Sequence, residues 1–279
     1  MISKLDKLKS ALKSRPRLAL LLPYIIIALL FIVLPFFILL VISLKPAAAD
    51  FDNWKIVKDS STWVIMWRSV WMGIVTALIC LLLGFPYAFF VSTSKSKSFK
   101  FYAISLIISP LIIFTIAKAL ALRGMFTLLF DERKINSEWF MVLGMIYLNL
   151  PFMIIPLYSV FRDMNPNILE VSYDLGYNKF LTLIKVVLPY GIKAIFSGVG
   201  LVFLMAASSV IISDKLLSNG FQHQLIGNVI NQHVNPSNPF DMARASTLVL
   251  ITTIVLMSFY SLIYLVPMLV LKLKGINYD

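Results

Sequence analysis

The 279-residue chain is poor in the groups that do chemistry, with one cysteine, two histidines and thirteen acidic residues. A single thiol, Cys80, can close no intrachain disulfide and build no cysteine-rich metal site. Set in an apolar run, it reads as a small buried hydrophobe. His223 and His233 stand in one loop with no further ligand cluster around them, so no metal centre is expected. Catalysis needs titratable groups converging on one place, and no carboxylate or histidine falls inside the long uncharged runs. No catalytic residue is therefore expected. Proton-driven carriers usually hold carboxylates at membrane depth, which counts against that class. No phosphate-binding GxxxxGKS or GxxxxGKT loop occurs, so any ATP, with its Mg, must sit on another chain and no cofactor is expected on this one.

What the chain has in abundance is apolar length. Hydrophobic residues make up 59% and charged ones 14%, and mean hydropathy is +0.88. A soluble chain is typically ~45–50% apolar and ~25% charged, so this is a membrane protein. The net charge of +12 does not mark a nucleic-acid binder, because most basic residues flank apolar runs and there set topology and meet lipid headgroups. Six uncharged stretches follow: Leu18–Leu44, Ser69–Ser94, Phe101–Ala117, Trp139–Phe161, Ala194–Ser213 and Ala245–Leu271. The expectation is an all-α, six-span polytopic protein. The third run continues through Ala119–Leu122, and Lys118 and Arg123 can snorkel to an interface. Prolines 23, 35, 86, 110, 151 and 156 fall inside the runs, which membranes tolerate.

Ala47-Ala48-Ala49 resembles a signal-peptidase site, yet a signal's apolar region is only ~7–15 residues, so an uncleaved first span is expected. Both termini are then cytoplasmic, which puts fifteen of the 25 basic residues inside. The layout is a basic segment 1–17, a membrane domain 18–271 carrying the long inner loop 162–193, and a tail 272–279. In segment 1–17, Ile2, Leu5, Leu8 and Leu12 recur opposite the lysines, as in a helix lying on the inner leaflet; a disordered basic tail is the alternative.

Loop Arg162–Lys193 is the most informative segment. Asn165 can cap a helix, Pro166 suits its first position and Gly176 can end it. Ile168, Leu169, Ser172 and Leu175 then share one face, and Glu170 and Asp174 share another. Such a helix could plug into a groove on a soluble partner or lie along the membrane surface.

Glu170-Val171-Ser172, Gly176 six residues after the glutamate, and Val186-Val187-Leu188-Pro189 resemble the EAA-x3-G-x9-I-x-LP signature of the membrane subunits of bacterial ABC importers. Val171 and Ser172 replace two alanines and Val186 an isoleucine. The resemblance implies that this loop is a coupling helix docking on an ATPase, with Glu170, Ser172, Asp174, Leu175, Gly176 and Pro189 as its coupling residues. Leu83–Ala88, Leu150–Ser159 and Leu225–Ile230 extend the resemblance to the spermidine/putrescine branch and its first permease type. That implies a second homologous permease, two ATPase copies, a substrate-binding protein outside, and alternating access in an inner membrane. Ferric-iron, thiamine and phosphonate importers share the general signature. An ATP-independent channel or carrier is the rival from another class.

A polyamine pathway would use aromatic faces and a few carboxylates or carbonyls. Asp214 is the leading candidate, with a solvated carboxylate paired to Lys215 as the plainer reading. Tyr147, Asn149 and Tyr158 place polar groups in the fourth span, the two tyrosines at spacing for one face; helix-to-helix hydrogen bonds are their plainer role. In the outer loops, Asp50, Asp52 and Asp59 with Trp54 and Trp63, and Asp131, Glu132 and Glu138 with Trp139, read as interface anchors and solvated acids, or as a docking surface.

Overall fold

A computed structural model describes residues 21–48, 50–131, 135–217 and 223–273. The expected amphipathic segment 1–17, Glu132 and most of the tail lie outside them. Every regular element among the described residues is helical. They form two compact units, one of residues up to Val57 with Val234–Leu250, the other of Lys58–His233 with the residues from Ile251 on.

In the first unit, α1 (Leu22–Ala28) and α2 (Leu34–Leu44) are joined by a π-turn over Leu29–Val33. The cause is Pro35: it has no N–H, its ring crowds the carbonyl four residues back, and the turn before it widens. Beyond α2, the buried Asn53 amide donates to the carbonyls of Ile42, Ser43 and Lys45 at 3.2, 3.2 and 2.6 Å, satisfying groups the helix end leaves open. The short α3 (Lys55–Lys58) follows. The loop acids do local work: Asp52 accepts from the Trp54 amide at 2.9 Å, and Asp59, already in the second unit, caps the helix that follows it through the Ser61 amide at 3.1 Å. The Arg244 guanidinium lies 5.1 Å over the Phe51 ring.

In the second unit, α4 (Ser60–Thr93), α7 (Glu138–Arg162) and α11 (Ile192–Ala207) form the core. Small residues let the helices approach, as packing in lipid requires. A Cβ on Gly73 would stand 2.9 Å from Ala207 Cβ and 3.1 Å from the Phe203 carbonyl oxygen. One on Gly84 would meet Met153 at 3.0 Å. Val202, Phe203, Met153 and Leu157 are fully enclosed between them.

Among the described residues four helices are long and apolar enough to cross a membrane, Pro23–Leu44, Ser60–Thr93, Glu138–Arg162 and Pro239–Leu269, and the number is six where each of two bent pairs counts as one span. The last span belongs to α14 (Pro239–Leu273), whose residues to Leu250 lie in the first unit. The chain is thus an all-helical, multi-pass membrane protein.

Two spans differ from the sequence expectation. The third is α5 (Lys97–Ile112) followed by α6 (Thr115–Thr127), bent by 104°. Pro110 cannot bond the Leu106 carbonyl; the Ser109 hydroxyl does so at 3.2 Å, and Ile113 and Phe114 then turn extended. After the bend Lys118 is 7% exposed and lines a cavity. The fifth span does not run to Ser213 but ends at Ala207, where the Ser208 hydroxyl and amide both bond the Leu204 carbonyl, at 2.6 and 3.1 Å. A separate short helix, α12 (Ile211–Leu216), follows.

Candidate functional site

Two places concentrate the polar architecture. The first is loop 162–193, where Asn165 Oδ1 accepts from the Asn167 amide at 3.0 Å and starts α8 (Asn167–Asp174). Gly176 takes φ +83°, a left-handed conformation that costs other residues ~1–2 kcal/mol. That turn lets the Tyr177 amide donate to the Ser172 carbonyl at 3.2 Å and the Gly176 amide to Tyr173 at 2.9 Å, a Schellman closure. The chain then re-enters helix at α9 (Lys179–Thr182), capped by Asn178, whose Oδ1 accepts from the Leu181 amide at 2.8 Å. The Ser172 and Thr182 hydroxyls, both buried, meet at 2.8 Å and tie the two arms together.

Ile168 and Leu169 pack on the core, as the sequence pattern implies. Leu175 does not join them: it occupies the helix C-cap, where the chain already turns toward Gly176, and is 71% exposed. The outward surface of α8 is therefore Glu170, Val171, Tyr173, Asp174 and Leu175, with two carboxylates among apolar and aromatic groups. Ser172 holds the loop's shape from inside. Pro189 opens α10 (Leu188–Tyr190) just after a π-turn over Leu183–Val187, repeating the arrangement before Pro35. The arm Lys179–Tyr190 then bends by 75° into α11. Gly191 at the bend leaves room for the Phe161 ring, which a Cβ would meet at 2.6 Å.

Replacing Gly176 with alanine should destabilise this loop by about 1–2 kcal/mol without touching the core. Faster limited proteolysis between Asp174 and Lys179, with an unchanged melting temperature, is the measurable outcome.

The second place is a cavity of about 220 Å³ next to the break between α5 and α6, walled by Ile113, Thr115, Lys118, Asn149, Phe152 and Ser209 among others. Asn149 is buried and its amide donates to the Met145 carbonyl at 2.8 Å. Tyr158 lies elsewhere, lining an apolar pocket with Tyr87, Ile154 and Ile107; Tyr87 donates to the Ala103 carbonyl at 2.9 Å. Tyr147 is 39% exposed and lines neither space, so Tyr147, Asn149 and Tyr158 do not share one wall. Asp214 is also outside the cavity, exposed and bonded to Lys215 at 2.8 Å. In the amino-acid order Lys118 and Arg123 read as cations near an outer mouth that would repel a polyamine unless they faced headgroups; the break after Pro110 sets Lys118 on the cavity wall.

The three quoted stretches each pack. Gly84 and Tyr87 of the first rest on Met153, Ile154 and Tyr158 of the second. In the third, Leu225 and Ile226 are fully buried, and the Ile226 amide donates to Ser69 Oγ at 2.8 Å. Gly227, in α13 (Ile226–His233), lies against the Ser208 and Ser209 carbonyls that end α11, with Cβ positions 2.7 and 2.8 Å from their oxygens.

A spermidine/putrescine transport system permease protein PotB homolog from Mycoplasma genitalium is 32% identical over 266 residues, spanning 90% of this chain and 92% of that one. The chain belongs to this permease family. The PotB permease protein of Escherichia coli is 30% identical over 234 residues, covering 75% of this chain and 81% of its own. The fold is shared with a chain of a bacterial ABC transporter involved in importing the acidic polysaccharide alginate, at TM-score 0.68, 17% identity and coverage of 93% and 99%. No protein-family model matches the chain. The three packed stretches and the loop around Gly176 thus belong to a transport permease; packing gives the physical reason for the buried residues of the stretches, and the turn at Gly176 for that of the loop.

Proposed function

We propose that the chain is one membrane-spanning permease subunit of an ATP-driven importer whose substrates are the polyamines spermidine and putrescine. It has no catalytic site of its own. ATP and Mg are bound by two copies of an ATPase subunit, a second homologous permease completes the pathway, and an external binding protein delivers the substrate. The N- and C-termini and loop 162–193 face the cytoplasm.

The observation that carries this reading is the shape of α8. A helix closed at both ends, tied to its neighbour arm by the Ser172–Thr182 hydroxyls, moves as one body and passes a rotation of the ATPase to the spans on either side. Its outward Glu170 and Asp174 offer carboxylates to a basic groove, and Val171, Tyr173 and Leu175 offer apolar anchors. Closure of the ATPase pair then swings the permeases between inward-open and outward-open forms. The ligand leaves the binding protein and passes between the subunits, with Asn149, Tyr147, Tyr158 and Asp214 as candidate wall residues.

The test is ATP-dependent uptake of labelled spermidine into vesicles that hold this chain with its ATPase, partner permease and binding protein. Putrescine, thiamine and ferric iron serve as competitors. Competition by putrescine alone supports the polyamine reading. An assembled, ATP-hydrolysing complex that takes up no polyamine discards the substrate and keeps the importer, whereas conduction by the purified chain alone favours a channel.

A further inference from the structure

Lys118 is the least explained charge in the second unit. It is 7% exposed, and among the described residues its ammonium has no ion pair or hydrogen bond. The residue is buried but its ammonium opens onto a cavity, and a cation enclosed by protein without a carboxylate beside it calls for a counter-charge. Lys118 lines the 220 Å³ cavity, and no carboxylate lines it with Lys118.

The wall also carries polar groups of both signs: Asn149 Oδ1 and the carbonyl end of α11 at Met205 and Ser209 are acceptors, while the groups next to Lys118 on α6 are donors. α6 is thirteen residues long and begins at Thr115, with no side chain over its first amides. The positive end of its dipole and its unbonded N–H groups therefore border the same space that Thr115 and Lys118 line. The Thr115 and Ser209 hydroxyls add two groups able to donate. Asn149 has already committed its amide N–H to Met145. The first turn of α6 and the Lys118 side chain that it carries thus present positive charge to one part of the cavity, an arrangement that attracts an anion.

We propose that this cavity binds a compact monovalent anion of halide size, seated between the Lys118 ammonium and the first-turn amides of α6. Its volume of about 220 Å³ accommodates such an ion together with its waters. The bound ion neutralises Lys118, so a cationic solute passing the wall meets no bare ammonium. The site is defined by this chain's own residues and holds whichever substrate the importer carries.

The test uses the purified full chain at constant ionic strength, with sodium gluconate replaced stepwise by sodium bromide while the melting temperature is read. The expected result is a saturable rise of about 5 °C, retained in K118R and absent in K118M, with an anomalous bromide signal in the cavity in crystals. No saturable rise in the wild-type chain, or the same rise in K118M, overturns the site. So does a carbodiimide cross-link between Lys118 and a carboxylate of the second permease in the assembled complex, which would make the partner the source of the counter-charge. If K118M fails to fold, the wild-type titration and the bromide signal decide alone. Spermidine uptake is not among the readouts, so a failed substrate reading leaves this test intact.

Discussion

Glu170→Lys leaves membrane insertion and the fold intact but lowers ATP-driven uptake by about a hundredfold or more, with loss of the ATPase on co-purification. The two halves of that result have separate causes. Glu170 lies in the first turn of α8, so reversal forfeits a favourable dipole interaction of only ~0.3–1 kcal/mol. The helix itself is held by the Gly176 closure and the Ser172–Thr182 bond, neither of which involves Glu170. At a docking surface, by contrast, a like-charge juxtaposition costs several kcal/mol, and each ~1.4 kcal/mol is a factor of ten in affinity. Uptake at the wild-type rate with normal co-purification would remove Glu170 from the docking face.

Gly227→Ala destabilises the protein by about 2–3 kcal/mol, and Gly227→Val by more. The obstacles to a Cβ are the Ser208 and Ser209 carbonyl oxygens and the Ser209 carbonyl carbon, all within 3.0 Å. Backbone cannot rotate away as a side-chain end does, so α13 must lift from the end of α11. Ser209 also lines the Lys118 cavity, so the displaced contact deforms that wall as well. Thermal denaturation in detergent gives the stability change, and a melting temperature equal to wild type would show that α13 is free to shift.

The helical class, the apolar runs that become four to six candidate spans, and the loop from Asn165 to Gly176 are legible in the residue order because each has a local cause. Long apolar runs, a capping Asn and a glycine stop act within a turn of themselves. Gly176 has the left-handed φ its position implies. The bends were less legible. Pro110 and Pro86 both lie in apolar runs, yet Pro86 sits inside the unbroken α4 while α5 ends two residues beyond Pro110. The residue order carries the missing N–H in both cases but not the neighbours that decide between kink and break. Lys118 followed from that ambiguity, since its direction depends on a 104° turn at residues 113 and 114. Among the pathway candidates, the shared helical phase of Tyr147 and Tyr158 is real. What each faces is set by packing against α4 and α5, which spacing along one helix does not reveal.

The π-turns at Leu29–Val33 and Leu183–Val187 each store one residue more than a regular turn, directly ahead of a Leu-Pro pair. One residue of helix corresponds to about 100° of rotation and ~1.5 Å of rise. Passing that surplus residue along the rod would therefore twist and advance everything beyond it by one step, with bonds exchanged one at a time rather than broken together. The second of these turns lies between α8 and the membrane helix α11, so a displacement of α8 would reach α11 through a segment able to take up one residue of twist.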